Sequence, residues 1–428
     1  MQILVIGSGG REHAICSSFA KSARVSKIYC APGNAGIAAL AGCVAIRPDD
    51  VAGLADLAAE RRVDLTFVGG ETSLALGITD EFERRNLRII GPSRAAARLE
   101  ASKAFAKEFM ARHSVPTAYA VTADSADAAT AALNSGRFGG SESPVVVKAD
   151  GLAAGKGVVV AANRNEAIAA IGEMAGRVGS EAADRIVLEE CLFGREVSLL
   201  MFADGTDYAL MPPTRDHKRI GDGDTGPNTG GMGTITDAAL LNAEQMSEIR
   251  ETIIEPTLAG CVADGFRFRG ILFLGLMMTQ NGPKLLEYNV RFGDPETQSI
   301  LVRLRSDMVE ICEAMIGGEL SQTKIEWEAG NSACVVLAAE GYPDKPRLGD
   351  VITGVEAAAA IDRVTAFHSG TARNEKGEFV TAGGRVLGVT ATGDDLRSAL
   401  ESAYDAARRI NWPGMQYRKD IGRTNGEI

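Results

Sequence analysis

Cysteine is scarce and unpaired in this chain. Seven cysteines are spread over 428 residues, at 16, 30, 43, 191, 261, 312 and 334 with no CxxC pair, which excludes a zinc knuckle and a disulfide scaffold and fits a reducing cytosol. Histidine is scarcer still. His13, His113, His217 and His368 show no metal-ligand spacing and no neighbouring Ser or Cys nucleophile motif, so a hydrolase triad is unsupported. No apolar run approaches the ~18 residues of a membrane span, and Gln2 to Ile6 reads as a strand without a basic leader region, so the chain is expected to be neither exported nor embedded. Positive charge is also short. With 45 Lys and Arg against 56 Asp and Glu, the net charge is -11, no basic run exists, and the field repels polyanions. Nucleic acid is excluded as a partner.

What is present fits a globular chain of several domains: 45% apolar and 24% charged residues over a length too great for one ordinary core. Residues 1 to about 100 alternate short apolar strands (3–7, 27–31, 64–70, 87–92) with helical patterns at 12–21 and 50–61. This predicts an α/β doubly wound parallel sheet with ligands at the carboxyl ends of its strands. From about 116 the pattern changes to β-branched strands in hairpin-like pairs, 144–150 with 157–163 and 185–191 with 195–202, read as antiparallel units. The last third, with strands near 332–343 and 384–393 and a helix at 394–410, reads as a small α+β cap. The expected domains are 1–102, 103–325 and 326–428.

Two glycine-rich segments suit phosphates. Gly7-Ser8-Gly9-Gly10 follows a strand and opens a helix, where backbone N-H groups meet the positive helix end. The dinucleotide fingerprint fails there, because Glu12 stands at the third glycine position. An anion site and a merely tight strand-helix turn are both open. Lys148 to Gly157 lies between two strands, with spacing one residue short of a Walker loop and Gly157 after Lys156, so it is not a P-loop. Such a hairpin can instead fold over a nucleotide as a flap, its amides and Lys148 and Lys156 facing phosphates; an ordinary exposed hairpin turn is the other reading.

Acidic and polar side chains supply the rest. Glu287 and Asn289 alternate on one strand face and offer two oxygen ligands for Mg²⁺. Arg291-Phe292-Gly293-Asp294-Pro295-Glu296 follows at once, placing an arginine where it could hold a substrate carboxylate bidentately. Asp216-His217-Lys218-Arg219 and the polar glycine-rich run to Gly233 are expected to form a long structured loop with a functional role.

Taken in order, GSGGREHA, APGNAG, GPS, LEASKAF, KADGLAAGKGVVV, VLEECLFGREVS, DHKRIGDGDTGPNTGGMG, EYNVRFGDPETQ, FHSGT and GGRVL resemble the successive motifs of the phosphoribosylamine-glycine ligase family over nearly the whole chain. The resemblance implies an N-terminal Rossmann-like substrate domain, a central ATP-grasp fold with a mobile lid at about 116–190, and a small C-terminal domain. It implies ATP contacts at Lys103, Lys148, Gly151, Gly155, Lys156, Gly157, Glu189, Glu190, Leu192 and Glu196, the last as ribose acceptor. Glu287 and Asn289 become ligands of Mg²⁺ or Mn²⁺. Asp216 and Arg291 would hold the two ends of glycine, with Asn228, Thr229 and Gly230 nearby, while Gly9, Gly10 and Glu71 would bind 5-phosphoribosylamine. Arg291, Asp216 and Lys148 are the catalytic candidates, in a cytoplasmic monomer or homodimer.

The chain departs from the family pattern at two places. Gly70-Glu71-Thr72-Ser73-Leu74 stands where the family has GPExPL, and Gly233-Thr234-Ile235-Thr236-Asp237 where it has GGMGAYSP. Both lie near the implied substrate sites. A related ligase with another carboxylate or amine is therefore the competing reading, and a binding-only relative is opposed by the intact Lys148, Glu287, Asn289 and Arg291.

Overall fold

The computed structural model describes residues 1–152, 157–179 and 183–423. Its N-terminal sheet is parallel throughout, in the order β3-β2-β1-β4-β5, with β1 Gln2–Gly7, β2 Lys27–Pro32, β3 Gly42–Cys43, β4 Leu65–Val68 and β5 Ile89–Ile90. Strand alternation sends Leu4 and Ile6 into one core and Ile3 and Val5 into another, so both faces are covered, as a doubly wound sheet requires. The covering helices here are α1 Gly10–Ala20, α2 Val51–Glu60, α3 Glu71–Ala75 and α4 Ile78–Arg84. The last two are not among the expected helices, although Leu74, Ile78 and Phe82 recur every four residues and are all buried.

Ser93 caps α5 (Arg94–Ala101) and Ser102 caps α6 (Lys103–Arg112), each through its hydroxyl oxygen. A four-stranded sheet follows in the order β6-β9-β7-β8, from β6 Ala120–Ala123, β7 Val145–Ala149, β8 Val158–Ala161 and β9 Ile186–Glu190, backed by α7 Ala126–Asn134 and α8 Arg164–Val178. The β7/β8 hairpin is the expected one.

The other expected pair is not formed. Strand β9 pairs with β6 and β7, whereas β10 (Arg195–Asp204) pairs with β11 (Tyr208–Leu210), β12 (Thr214–Asp216) and β16 (Arg269–Thr279) in a different sheet. The four-residue connector Cys191 to Gly194 crosses between lobes instead of turning back. Gly194 sits at φ +158, and a Cβ there would collide with the Met278 carbonyl oxygen.

The second sheet has the path β17-β16-β10-β12-β15-β18-β22-β19, with β15 Gly233–Thr236, β17 Gly282–Asn289, β18 Asn331–Ala338, β19 Val364–His368 and β22 Arg385–Gly393. The C-terminal segment joins the central sheet, because β18 pairs with β15 and continues it. The expected loop at 216–233 contains a two-stranded hairpin, β13 Arg219–Gly221 with β14 Thr225–Asn228. A second small hairpin joins β20 Thr371–Arg373 and β21 Phe379–Thr381. Among the described residues no helix is long and apolar enough to cross a membrane.

Candidate active site

Strand alternation puts Glu287 and Asn289 on one face of β17, both partly open to solvent beneath the four-stranded sheet. Lys148, at the end of β7, donates to the Leu286 carbonyl at 3.3 Å and lies 2.8 Å from Glu189 Oε1. Lys103 opens α6 and donates to the Gly151 carbonyl at 3.3 Å. The same helix start binds Asp150 Oδ1 through Ser102 Oγ at 2.9 Å and the Ala104 amide at 2.8 Å, fixing the root of the glycine-rich hairpin against it. Burial pushes the Glu287 carboxyl up, but Lys218, Lys148, Lys103 and Arg291 together overcome this and hold it below its ordinary value. Three of these cations are also paired elsewhere, Lys148 with Glu189, Lys218 with Glu196 and Arg291 with Glu71 and Glu100, so binding a polyphosphate draws on cations that the chain keeps in ion pairs.

A divalent ion fits this donor set. Among the described residues no group of three or more His, Cys, Asp or Glu side chains could cage a metal. An ionised Glu287 with the Asn289 amide oxygen gives the partial oxygen shell from which Mg²⁺ is held jointly with nucleotide phosphates.

Arg291 is already engaged. Its Nε lies 3.1 Å from Glu71 Oε2 and its Nη2 lies 2.7 Å from Glu100 Oε1 and 3.3 Å from Asn289 Oδ1, while Nη1 donates to the Phe292 carbonyl at 3.1 Å. Glu100 is buried and also accepts from the Val290 amide at 2.8 Å. The fork expected to face a substrate carboxylate is therefore turned toward Glu71 and Glu100, and a substrate must displace one of them. Arg291, working against burial and aided by Arg11, pulls the Glu71 carboxyl down to about 2.

Arg11 links this pair to the glycine turn: its Nη1 lies 3.9 Å from Glu71 and its Nε 2.6 Å from Glu12 Oε1. Glu12 Oε2 accepts from the Gly9 amide at 2.6 Å. That N-H is thus committed within the chain. Gly10 packs against Gln298 and Ser369. Asn34 Nδ2 donates to both the Ser8 and His368 carbonyls at 2.8 Å, and the His368 amide donates to His13 Nδ1 at 2.8 Å. The His368–Thr371 turn therefore stands beside the glycine turn.

The segment from Asp216 to Gly230 closes the other side. Lys218 Nζ lies 2.9 Å from Glu196 Oε2, and Thr229 Oγ1 donates to the Lys218 carbonyl at 2.9 Å. Asn228 pairs with Arg219 in the hairpin. Gly230 donates to the Tyr342 hydroxyl at 3.0 Å, and its carbonyl accepts from Arg385. Arg385 also pairs with Asp294 Oδ2 at 3.2 Å. Burial and the charge of Glu296 push the Asp216 carboxyl well above its ordinary value.

Glu190 accepts from the Tyr119 amide at 2.8 Å, and Leu192 lies in the connector between the sheets. Gly155 and Lys156 lie outside the described residues; Gly157 anchors the far side of the hairpin through the Ala149 amide at 2.8 Å. The sequence reading missed Glu100, Arg385, Tyr342 and Lys107. Glu100 and Arg385 do sit inside quoted motifs, LEASKAF and GGRVL, but their partners lie 191 and 91 residues away, and spacing does not encode that.

Three family models match the chain: the N domain of phosphoribosylglycinamide synthetase over residues 1–100, its ATP-grasp (A) domain over 101–297 and its C domain over 332–424. A phosphoribosylamine–glycine ligase of Xanthomonas campestris pv. campestris is 49% identical over 426 residues, covering 99% of this chain and 97% of that protein. One from Vibrio vulnificus is 46% identical over 427 residues, covering 99% and 98%. The crystal structure of the Thermotoga maritima phosphoribosylamine–glycine ligase matches at 33% identity with a TM-score of 0.85, covering 99% of this chain and 100% of that one. The chain therefore belongs to the phosphoribosylglycinamide synthetase family.

Proposed function

We infer that the chain is a phosphoribosylamine–glycine ligase, which joins glycine to 5-phosphoribosylamine in purine biosynthesis with conversion of ATP to ADP and phosphate. The observation that supports it most directly is the Glu287 carboxylate held ionised among Lys103, Lys148, Lys218 and Arg291, on a chain 49% identical to a curated ligase of that name.

A carboxylate is a poor acyl donor, so the reaction runs through glycyl phosphate, which the neutral amine of phosphoribosylamine attacks. The protein's contribution is positioning and neutralisation of charge. Lys103 and Lys148 bind the phosphates, with Gly151 and Gly157 beside them and Gly155 and Lys156 assigned to the same ligand by the family resemblance alone. Glu189, Glu190 and Leu192 line the adenine side and Glu196 takes the ribose. Glu287 and Asn289 hold Mg²⁺ or Mn²⁺, which when bound neutralises phosphate charge. Asp216 and Arg291 bind glycine beside Asn228, Thr229 and Gly230, while the Gly9-Gly10 turn and Glu71 bind phosphoribosylamine. The protein works in the cytoplasm as a monomer or homodimer.

ADP release by the purified protein, with Mg-ATP, glycine and freshly generated phosphoribosylamine each omitted in turn, tests this reading. Release that requires all three and yields glycinamide ribonucleotide supports it. Release indifferent to glycine points to another carboxylate, as the altered Gly70–Leu74 and Gly233–Asp237 segments would allow.

A further inference from the structure

Glu189 is 2% exposed and sits between two ammonium groups: Lys148 Nζ at 2.8 Å from Oε1 and Lys107 Nζ at 3.0 Å from Oε2. Lys148 is the group read above as a phosphate ligand. Lys107 stands one turn further along α6 than Lys103, is itself buried, and donates to Thr117 Oγ1 at 2.8 Å. Thr117 in turn donates to the Leu285 carbonyl at 2.5 Å. The two lysines thus connect to adjacent carbonyls of β17, Leu285 through Thr117 and Leu286 directly, immediately before Glu287.

We propose that Lys107 is a positioning residue that neutralises Glu189 so that Lys148 can leave it for the nucleotide phosphates. The argument is one of charge. To reach a phosphate, Lys148 has to loosen its pairing with a buried carboxylate, and a buried carboxylate left without a counterion is costly. Lys107 is the second counterion that removes this cost. Two ammoniums and one carboxylate leave the cluster with a net charge of +1. Replacing Lys107 by a neutral residue leaves zero, with Lys148 as the sole partner of Glu189. Neutralising Glu189 as well returns the net charge to +1 and frees Lys148.

The inference rests on Lys148 being a phosphate ligand, and the test separates the two. Dissociation constants for Mg-ATP are measured by calorimetry on the full chain for wild type, Lys148→Met, Lys107→Met and the Lys107→Met/Glu189→Gln double variant. Lys148→Met and Lys107→Met are each expected to weaken binding by about tenfold, the effect of one charge in a partly shielded interior. Because Glu189 also lies on the adenine side, Glu189→Gln alone is measured as well, and against that background the double variant should recover most of the loss seen in Lys107→Met. A merely structural Lys107 would make the double variant bind no better than the single one.

The pH dependence supplies a second readout. Burial, opposed by Glu189 and Glu190 on β9 and reinforced by Lys148 on β7, brings the Lys107 ammonium down to about 8. Wild-type affinity for Mg-ATP should fall above that pH, and Lys107→Arg, which keeps its charge, should not show the fall. Normal binding by Lys148→Met would overturn both the ligand reading and the proposal. Weak binding by Lys148→Met with normal binding by Lys107→Met, or no recovery in the double variant, would overturn the proposal alone.

Discussion

Arg291 Nε lies 3.1 Å from Glu71 Oε2, joining the loop that follows Glu287 and Asn289 to the first residue of α3 in the N-terminal sheet domain. The pair spans 220 residues of chain and lowers the Glu71 carboxyl from 4.5 to about 2, through the Arg291 charge first. A carboxyl whose folded-state value is depressed contributes stability above its unfolded value and loses it as the pH falls through the folded one. Glu71→Gln should therefore lower Tm at pH 7. Its gap to wild type should narrow below about pH 4.5 and close toward pH 2, as read by thermal unfolding at matched ionic strength. A gap that stays constant from pH 7 to 3 would show that the pair adds nothing to stability.

Glu287→Gln tests the metal assignment. Removing the one carboxylate of the pair while keeping its shape leaves two neutral oxygens facing Lys103, Lys148, Lys218 and Arg291. Turnover is expected to fall by roughly 100-fold or more at ordinary Mg²⁺, as for loss of a principal electrostatic group, with partial recovery at high Mg²⁺. Chelation should abolish wild-type turnover reversibly. Near-normal kcat for the variant would assign the metal elsewhere.

The parallel N-terminal sheet was readable because its strands and helices alternate in sequence, although the β1–β4 pairing joins strands about 60 residues apart. The β7/β8 hairpin was readable because its two strands are consecutive in sequence. The β9/β10 pairing was misread because two β-branched runs joined by four residues look alike whether the chain turns back or crosses to another sheet. Tertiary packing around Gly194 decides that, not local pattern. At the site, the motifs delivered the charged residues but not their partners. Glu287 and Asn289 follow from period-two alternation, whereas Arg291 facing Glu71 and Glu100 depends on how three segments fold together.

Three histidines are buried as neutral rings. Burial brings His13 down to about 3, with the nearby His368 adding to the effect, and brings His217 and His368 to about 4. Unfolded histidine takes up its proton near 6.5, so between these values the unfolded chain binds more protons and stability falls as pH falls. Each fully protected ring accounts for ~1.4 kcal/mol per pH unit in that window. The histidine contribution to Tm should be flat above about pH 7 and fall steeply with pH below 6.5. Ring proton resonances of the three should not shift between pH 8 and 5, and a shift for any one would show that its ring is reached by solvent.

Gly10→Ala probes the junction between the glycine turn and the C-terminal segment. A Cβ at Gly10 would stand 2.5 Å from Gln298 Nε2 and 2.6 Å from Ser369 Oγ, so both must move. Gln298 is buried and donates to Asp294 Oδ1 at 2.8 Å, and Asp294 is in turn paired with Arg385 at 3.2 Å. Its displacement therefore strains a chain of contacts from the N-terminal turn to Gly230. Overpacking of this kind costs about 1–3 kcal/mol. The Lys103, Lys148 and Glu287 cluster lies on other elements and should be undisturbed. The expected result is a raised KM for phosphoribosylamine with an unchanged KM for ATP, measured by ADP release with each substrate varied. An equal rise in both would mean that the turn supports the whole fold rather than the amine substrate's side of the site.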